Sequence, residues 1–467
     1  MRSNLLRTGL VMCLGFIIAI VALGNIQIVQ REKLINHPRN RYSFDLAREV
    51  LRGGIFDRQG ETLAVSVKSS IAYVRQYSLG AQAAHLLGYS SETRGSTGAE
   101  NWFQADLLGQ TGTLRAWNLL NRLAGNSMAG YDLQLTIDAR LQETGYQLLG
   151  GRKGAIVVLN PQTGEILALV SSPGFDPEKI DTNWEMYSTS GDLPLFNRAL
   201  QGAYPPGSIF KLLTYAAAVE TDPTIIDRSF ICPGSVEVEG RRLNCIATHG
   251  EISLKEALAR SCNVVFAQVA MELGETRLRD QAETMGINKR IPADFPVKVS
   301  SFGPAGEMSA NALVETGIGQ GELAITPLQA ALLVAAVAND GILMKPYLLK
   351  ARAIPGKKFT DLSQPQVWTR AMGSRTAHYL KEAMIEAVVS GTARRSQIAG
   401  MEVAGKTGSA ENPHGRAHAW FVGFAPGRHP RVAVAVILEN AGSGGTYAAP
   451  VAREMIQLTL SLVGEGK

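Results

Sequence analysis

The chain has 467 residues, 45% of them hydrophobic, and a formal net charge of +5. That length supports two or three domains with a substantial core. No dense Lys/Arg block with interleaved aromatics occurs, which argues against nucleic acid as a partner and leaves acidic glycan or lipid surfaces open.

The first element is an apolar run. Residues 8–29 contain no charge, and Val11, Leu14, Phe16, Ile17, Ile18, Ile20, Val21 and Leu23 dominate them; this is the length a bilayer-spanning helix requires. A signal peptide is the competing reading, with Ala22 and Gly24 as a small-residue cleavage site. The apolar character continues through Ile26, Ile28 and Val29 and favours an uncleaved anchor. Charge does not orient it, because Arg2 and Arg7 precede the run while Arg31, Lys33, Arg39 and Arg41 follow.

Residues 31–50 suit a juxtamembrane segment. Residues 52–60 and 63–65 then read as strand, turn and strand, 83–89 as a short apolar stretch, and 95–98 as a turn into a helix at Ala99 and Glu100. Residues 133–137 alternate like a half-buried strand. The main domain is expected from about residue 146, opening with a hairpin in which 154–159 and 164–170 flank Asn160-Pro161-Gln162-Thr163. Helical patterns follow at 212–219, 254–260, 264–273 and 327–337, the last with Thr326 as N-cap and Pro327 at the first position. Strands return at 403–408, 419–424 and 432–438, and 450–462 closes as a helix. Strands at both ends with helices between predict a sheet whose edges meet late in folding. Of the four cysteines, Cys232 and Cys245 read either as a short-loop disulfide or as two thiols.

Three short motifs carry the chemistry. In Ala203-Tyr204-Pro205-Pro206-Gly207-Ser208-Ile209-Phe210-Lys211 the prolines and glycine end what precedes, and good helix formers follow. Ser208 is therefore expected at a helix N-terminus, with Lys211 about one turn on and on the same face. A serine hydroxyl is a poor nucleophile until a neighbour takes its proton, and a partly desolvated amine has its pKa pushed towards that task. Alone, Ser-x-x-Lys reads as well as a cap with a solvated lysine. In Ser261-Cys262-Asn263, between two helical patterns, the hydroxyl can relay a proton while the amide positions a carbonyl. Ser309-Ala310-Asn311 also matches, but its Gly/Pro-rich surroundings read as structural. Gly405-Lys406-Thr407-Gly408-Ser409 enters a strand, with a cation for a carboxylate and bare backbone at Gly408 for an extended peptide. His414 and His418 have a spacing seen at metal sites but no third ligand, so they read as surface or strand-edge residues, and no metal or cofactor is expected.

The ordered set Ser-x-x-Lys, Ser-x-Asn and Lys-Thr-Gly resembles the class B penicillin-binding proteins, monofunctional peptidoglycan transpeptidases. The resemblance covers nearly the whole chain. Arg52 to Arg58 with Leu63-Ala64, Ala84-His85-Leu86-Leu87-Gly88-Tyr89 and Gly98-Ala99-Glu100 look like the family's pedestal. Asn160 to Phe175, Gly317-Ile318-Gly319-Gln320-Gly321, Thr326-Pro327-Leu328-Gln329 and Ala419 to Pro426 look like its transpeptidase domain. The implied fold is α/β (α+β), of the penicillin-binding transpeptidase and serine β-lactamase type, an antiparallel sheet flanked by helices with a β-rich pedestal and one transmembrane helix. The implied division is 1–30 anchor, 31–145 pedestal and 146–467 transpeptidase.

By this resemblance Ser208 attacks the carbonyl between the terminal D-alanines of a stem pentapeptide, Lys211 is its base, Ser261 relays the proton and Asn263 completes the motif. Lys406, Thr407, Gly408 and Ser409 hold the donor's carboxylate, with Lys406 a second candidate base. The backbone N–H groups of Ser208 and Ser409 form the oxyanion hole. β-Lactams inhibit by acylating Ser208. A polytopic glycan polymerase of the shape, elongation, division and sporulation (SEDS) family is the implied partner, and the enzyme is single-pass with its catalytic domain outside the cytoplasm. A β-lactamase or D,D-carboxypeptidase is the enzymatic alternative, and a penicillin sensor or scaffold the non-enzymatic one. Ile209 departs from the family, which commonly has a polar residue after the nucleophile. The segment between Ala64 and Ala83 is short for a pedestal insert, and the chain ends soon after its closing helix.

Overall fold

The computed structural model describes residues 2–30, 49–68, 73–304, 306–413 and 415–464; most of the juxtamembrane stretch and His414 lie outside them. Helix α1 (Arg2–Gly24) continues as a π-helical turn to Val29. Its span Arg7–Val29 is 23 residues long and apolar, with none of its most hydrophobic window buried against protein. At 1.5 Å per residue it is about 35 Å long, enough to cross a hydrocarbon core of about 30 Å.

The N-terminal module is built on β1 (Ile55–Phe56), β2 (Thr62–Lys68), β3 (Tyr73–Tyr77) and β4 (Asp132–Leu135). Its six-stranded sheet is completed by Leu349–Ala353 and Thr360–Asp361, which lie far downstream, the former pairing antiparallel with β4. Gly53 lets two backbones touch here, since a Cβ on it would stand 1.9 Å from Tyr131 O. The Arg52 guanidinium binds the fully buried Glu100, which Arg75 also contacts at 2.7 Å. Burial pushes the Glu100 carboxyl up, but the two guanidinium groups outweigh it and hold it below the usual carboxylate range. The module is joined to the rest by polar contacts from its Ala84-His85-Leu86-Leu87 turn. His85 Nε2 lies 2.9 Å from Pro173 O, and Asn197 Nδ2 donates to His85 O at 3.0 Å.

The second module opens with α2 (Ala139–Leu149) and the hairpin β5 (Gly154–Leu159) and β6 (Ile166–Ser172). Helix α3 (Lys211–Thr221) follows. The chain then leaves the core in four short strands, β7 (Ser229–Cys232), β8 (Ser235–Val238), β9 (Arg241–Asn244) and β10 (Gly250–Ser253). It returns through α4 (Leu254–Ala259), whose Ser253/Glu256 capping box ties off its first turn, and α5 (Asn263–Thr284). Helix α5 runs past the apolar stretch expected to end at Leu273, because Gly274 absorbs a non-helical kink (φ 73°) and a polar helical segment continues. Then come α6 (Pro327–Ala338), α7 (Ser374–Val389), β11 (Ala404–Ala410), β12 (His418–Ala425), β13 (Val432–Leu438) and α8 (Gly444–Gly464). Helix α8 begins six residues before the expected start and encloses Pro450. Proline has no N–H for the carbonyl of Thr446, and Arg395 Nη1 lies 3.4 Å from that oxygen instead.

The central sheet is five-stranded and antiparallel, in the order β6-β5-β13-β12-β11. Every residue of β5, β6 and β13 is buried, because apolar side chains leave on both faces. One set joins α6 in the larger core and the other packs with α8 in a second core. This layering leaves β11 as an edge strand, with one row of backbone groups unpaired by its own sheet.

Candidate active site

Ser208 lies in the 3-10 turn Gly207–Ile209, which feeds directly into α3. The preceding Tyr204 is paired with Ile325 through both backbone groups, at 3.0 and 2.9 Å. Trp420 Nε1 of β12 donates to Pro205 O at 3.0 Å. Gly207 takes a left-handed φ of 55° and its N–H donates to Gly319 O at 2.7 Å. A Cβ on Gly319 would stand 1.9 Å from Gly207 O, so only glycine lets the 317–321 loop approach. Gly408 of β11 faces the same turn: a Cβ there would meet Pro206 O at 3.0 Å and Ile209 Cγ2 at 3.2 Å. The missing side chain of Gly408 thus admits the Ser208 turn.

Lys211 is fully buried at the first position of α3. Its Nζ donates to Ser261 O at 2.8 Å, Asn263 Oδ1 at 2.7 Å and Ser261 Oγ at 3.3 Å, and sits 5.6 Å from the centre of the Phe266 ring. The expected bond to Ser208 is not formed. A buried ammonium takes the strongest acceptors in reach, here a carbonyl and an amide oxygen. Burial lowers the Lys211 pKa from 10.5 to about 7, against the opposing pull of any thiolate at Cys262 or Cys245.

Ser261 occupies the junction of α4 and α5 with a left-handed φ of 57°, unusual for a residue with a Cβ and a frequent mark of functional positions. The junction holds that conformation through Cys262, whose N–H donates to Ala257 O at 2.8 Å while its Sγ accepts from Val265 N as N-cap of α5. On its other side Ser261 Oγ accepts from Lys406 Nζ at 2.9 Å, and Lys406 also donates to Thr407 O at 2.9 Å. Lys406 is fully buried, and burial first and the Lys211 charge second hold its pKa well below 10.5. One hydroxyl therefore bridges two buried amines that disfavour carrying charge together, an arrangement suited to passing a proton.

The Asn263 amide is committed at both ends, since Oδ1 accepts from Lys211 and Nδ2 donates to Asn244 O at 3.0 Å. Through Oδ1 it holds Lys211 in place, and the NH2 group has a second N–H to offer. Strand alternation separates Lys406 from Thr407, whose Oγ1 donates to Thr392 Oγ1 at 2.7 Å. Ser409 is exposed and accepts from Gly444 N at 3.3 Å. The second Ser-x-Asn match is structural, Ser309 capping the helix Ala310–Gly317. His418 Nδ1 accepts from Asn440 N at 3.1 Å beside Tyr204, a strand-edge role.

Thr392 and Gly319 were not singled out as site residues. Gly319 lay within a quoted motif; Thr392 had no local signal. Cys232 and Cys245 are both free thiols. They do not stand alone: Cys232, Cys245, His249 and Cys262 bring four ligand atoms within 4.8 Å of one another. The sequence pattern singled out only His414 and His418 as candidate ligands.

Residues 154–457 match the penicillin binding protein transpeptidase domain, and residues 52–133 match the penicillin binding protein A dimerisation domain. The chain is 31% identical to the peptidoglycan D,D-transpeptidase PbpA of Mycolicibacterium smegmatis, over 98% of this chain and 99% of that protein. It is 33% identical to the peptidoglycan D,D-transpeptidase MrdA of Acinetobacter baumannii, over 68% of this chain and 52% of that one. Among solved structures, the ceftriaxone acyl-enzyme complex of penicillin-binding protein A from M. tuberculosis superposes with a TM-score of 0.83 at 32% identity. That match covers 90% of this chain and 100% of the other. From its first module to its last helix, the chain belongs to the penicillin-binding protein transpeptidase family.

Proposed function

We infer that this chain is a peptidoglycan D,D-transpeptidase that works through an acyl-enzyme on Ser208 and is acylated there by β-lactams. The observation that carries this reading is the bridge from Lys211 through Ser261 Oγ to Lys406, both amines fully buried, beside the turn of Ser208 and on the open edge of β11. In its neutral form Lys211 keeps two N–H donors for Ser261 O and Asn263 Oδ1 and turns its lone pair towards a hydroxyl. It then takes the Ser208 proton as Oγ adds to the carbonyl between the two terminal D-alanines.

The tetrahedral oxyanion is received by the N–H groups of Ser208 and Ser409. As it collapses, the carbon–nitrogen bond breaks, Ser261 passes a proton to the departing D-alanine amine and is itself reprotonated from a lysine. An acceptor amine attacks the ester, gives up its proton along the same path and releases Ser208. Lys406, Thr407 and the backbone at Gly408 and Ser409 receive the donor's carboxylate end as it lies along β11, in the manner of an added strand. A β-lactam follows the first half alone.

The first module serves as pedestal and the part from about residue 146 as the catalytic domain. Helix α1 anchors the chain in a single pass with the catalytic domain outside the cytoplasm, where a SEDS-family polymerase supplies glycan strands. The test is mass spectrometry of the protein treated with penicillin. A persistent adduct on the peptide containing Ser208 supports the reading, and cross-linking of lipid-linked precursor with a partner polymerase must disappear in Ser208→Ala. Release of the adduct within seconds would instead make the chain a hydrolase.

A further inference from the structure

We propose that the helix Gly112–Leu123 lies in the surface of the membrane, with its apolar face among the acyl chains and its basic flank on anionic lipid headgroups. The first module would then lean on the bilayer at one end of its sheet. This inference rests on the anchoring of the chain by α1 and is independent of the acyl-transfer chemistry.

The helix is attached by the wrong side for a core helix. An amphipathic helix ordinarily buries its apolar stripe, yet here only Leu114 and Asn118 are buried. Asn118 does the holding, since its Nδ2 donates to Ala129 O at 2.8 Å and its Oδ1 accepts from Ala129 N at 3.2 Å. With that polar edge fixed to the module, the opposite face turns outward and leaves Trp117 51%, Leu119 61%, Leu120 64% and Leu123 79% exposed. At 3.6 residues per turn these four share one side of the helix, and Arg115 and Arg122 run together along its edge. Tryptophan and leucine on one face with arginine beside them is the composition of a helix that lies in a membrane interface.

The helix also sits where the chain arrives from its anchor. After residues 31–48 the chain enters the module at Val50–Leu51, which pair in parallel with Met128–Ala129 just beyond the helix. Arg122 Nη2 lies 3.4 Å from Glu49 Oε2, so the last turn of the helix touches the point of entry. The stretch 31–48 reaches at most about 60 Å even when fully extended, which confines that entry to the neighbourhood of the bilayer. Strands β1 and β4 run parallel away from this end, and β4 leaves at the other end towards α2 and the second module. A second basic and apolar element comes to the entry end. Leu349–Ala353 runs antiparallel to β4 with Ala353 opposite Asp132, so the connection 354–359 emerges there with Ile354, Lys357, Lys358 and Phe359 exposed. No acidic residue occurs at 107–131 or 348–360, and the flanking carboxylates of Glu49 and Asp106 are paired with Arg122 and Arg352. A convex apolar stripe rimmed by cations matches a fluid anionic leaflet, which needs no preformed groove to receive it.

The experiment uses the full-length protein, one chain per nanodisc, in phosphatidylglycerol with brominated acyl chains. Bromine quenches tryptophan on contact, and α1 contains no tryptophan, so the anchor is silent. Wild-type emission is expected to be quenched, and Trp117→Phe should lose nearly all of that quenching. Leu120→Glu with Leu123→Glu should weaken it while leaving the thermal melt and penicillin acylation unchanged. Quenching should be weaker in phosphatidylcholine, and the difference should close at high salt. Equal quenching in both lipids at low salt overturns the basic flank as part of the contact. Unquenched emission from a chain that stays in the disc overturns the contact with lipid and leaves the anchor standing. Shielding of Trp117 from aqueous iodide only in discs holding two copies, or only when a glycan polymerase is added, gives the face to a protein and likewise overturns it. A chain that alkaline carbonate strips from vesicles overturns the anchor and this contact together.

Discussion

The turn that carries Ser208 and the helix junction that carries Ser261 both converge on Lys211, but they are held by different means. The first is fixed by backbone: the Tyr204–Ile325 bridge, the Gly207–Gly319 bond and the seat against Gly408, all tied to the central sheet and its core. The second is fixed by side chains: two lysines on one hydroxyl, an amide reaching Asn244, and the sulfurs of Cys245 and Cys262. Backbone locks resist small chemical changes and fail abruptly when a Cβ is forced in. Side-chain locks respond to protonation and to single-atom substitutions.

The comparison is broken most completely at the nucleophile itself. Ser208→Ala should lose penicillin acylation by about 10⁴-fold or more with an unchanged thermal melt, because the hydroxyl takes no part in holding its turn. Gly319→Ala comes next. A methyl 1.9 Å from Gly207 O, at a φ of 87°, must displace the turn, with a stability loss of about 2 to 4 kcal/mol and acylation down by about 10²-fold.

On the other side the probe is pH. Acylation should rise with pH and level off above about 7, where Lys211 becomes neutral. Stability should follow the same group. Between about 7 and 10.5 the unfolded chain binds a proton at Lys211 that the folded chain does not, so this contribution to stability grows as pH rises through that window. Denaturant midpoints measured from pH 7 to 9 should climb, and Lys211→Met should reduce that slope to the part that Lys406, also held well below 10.5, supplies. A wild-type slope that survives in Lys211→Met would remove Lys211 as its source. The smallest expected effect is Thr392→Val, which deletes the partner of Thr407 Oγ1. It should cost about 1 kcal/mol of stability and slow acylation by a few fold. A loss as large as that of Gly319→Ala would show that the β11 side is locked as rigidly as the turn.

Much of this was readable before folding where the cause is local. Thr326 caps α6 as its position before Pro327 requires, its Oγ1 accepting from Gln329 N at 3.1 Å. The hairpin β5–β6 follows from two apolar runs around a turn, and the three short motifs identify the family because their order recurs with their chemistry. Other features had no local sign. Pro450 inside α8 is tolerated because Arg395 reaches the carbonyl it abandons. Leu349–Ala353 joins the sheet of the first module across more than two hundred residues.

Periodicity, capping and turn chemistry act over a few residues, so the elements, the anchor-length helix and the reactive motifs were written in the order of the amino acids alone. The partners of Lys211, the commitment of Asn263, the reason for Gly408 and the meeting of Cys232, Cys245, His249 and Cys262 depend on which distant segments pack together. Such contacts are chosen by burial of the two cores against the central sheet, a property of the whole chain that no short stretch encodes.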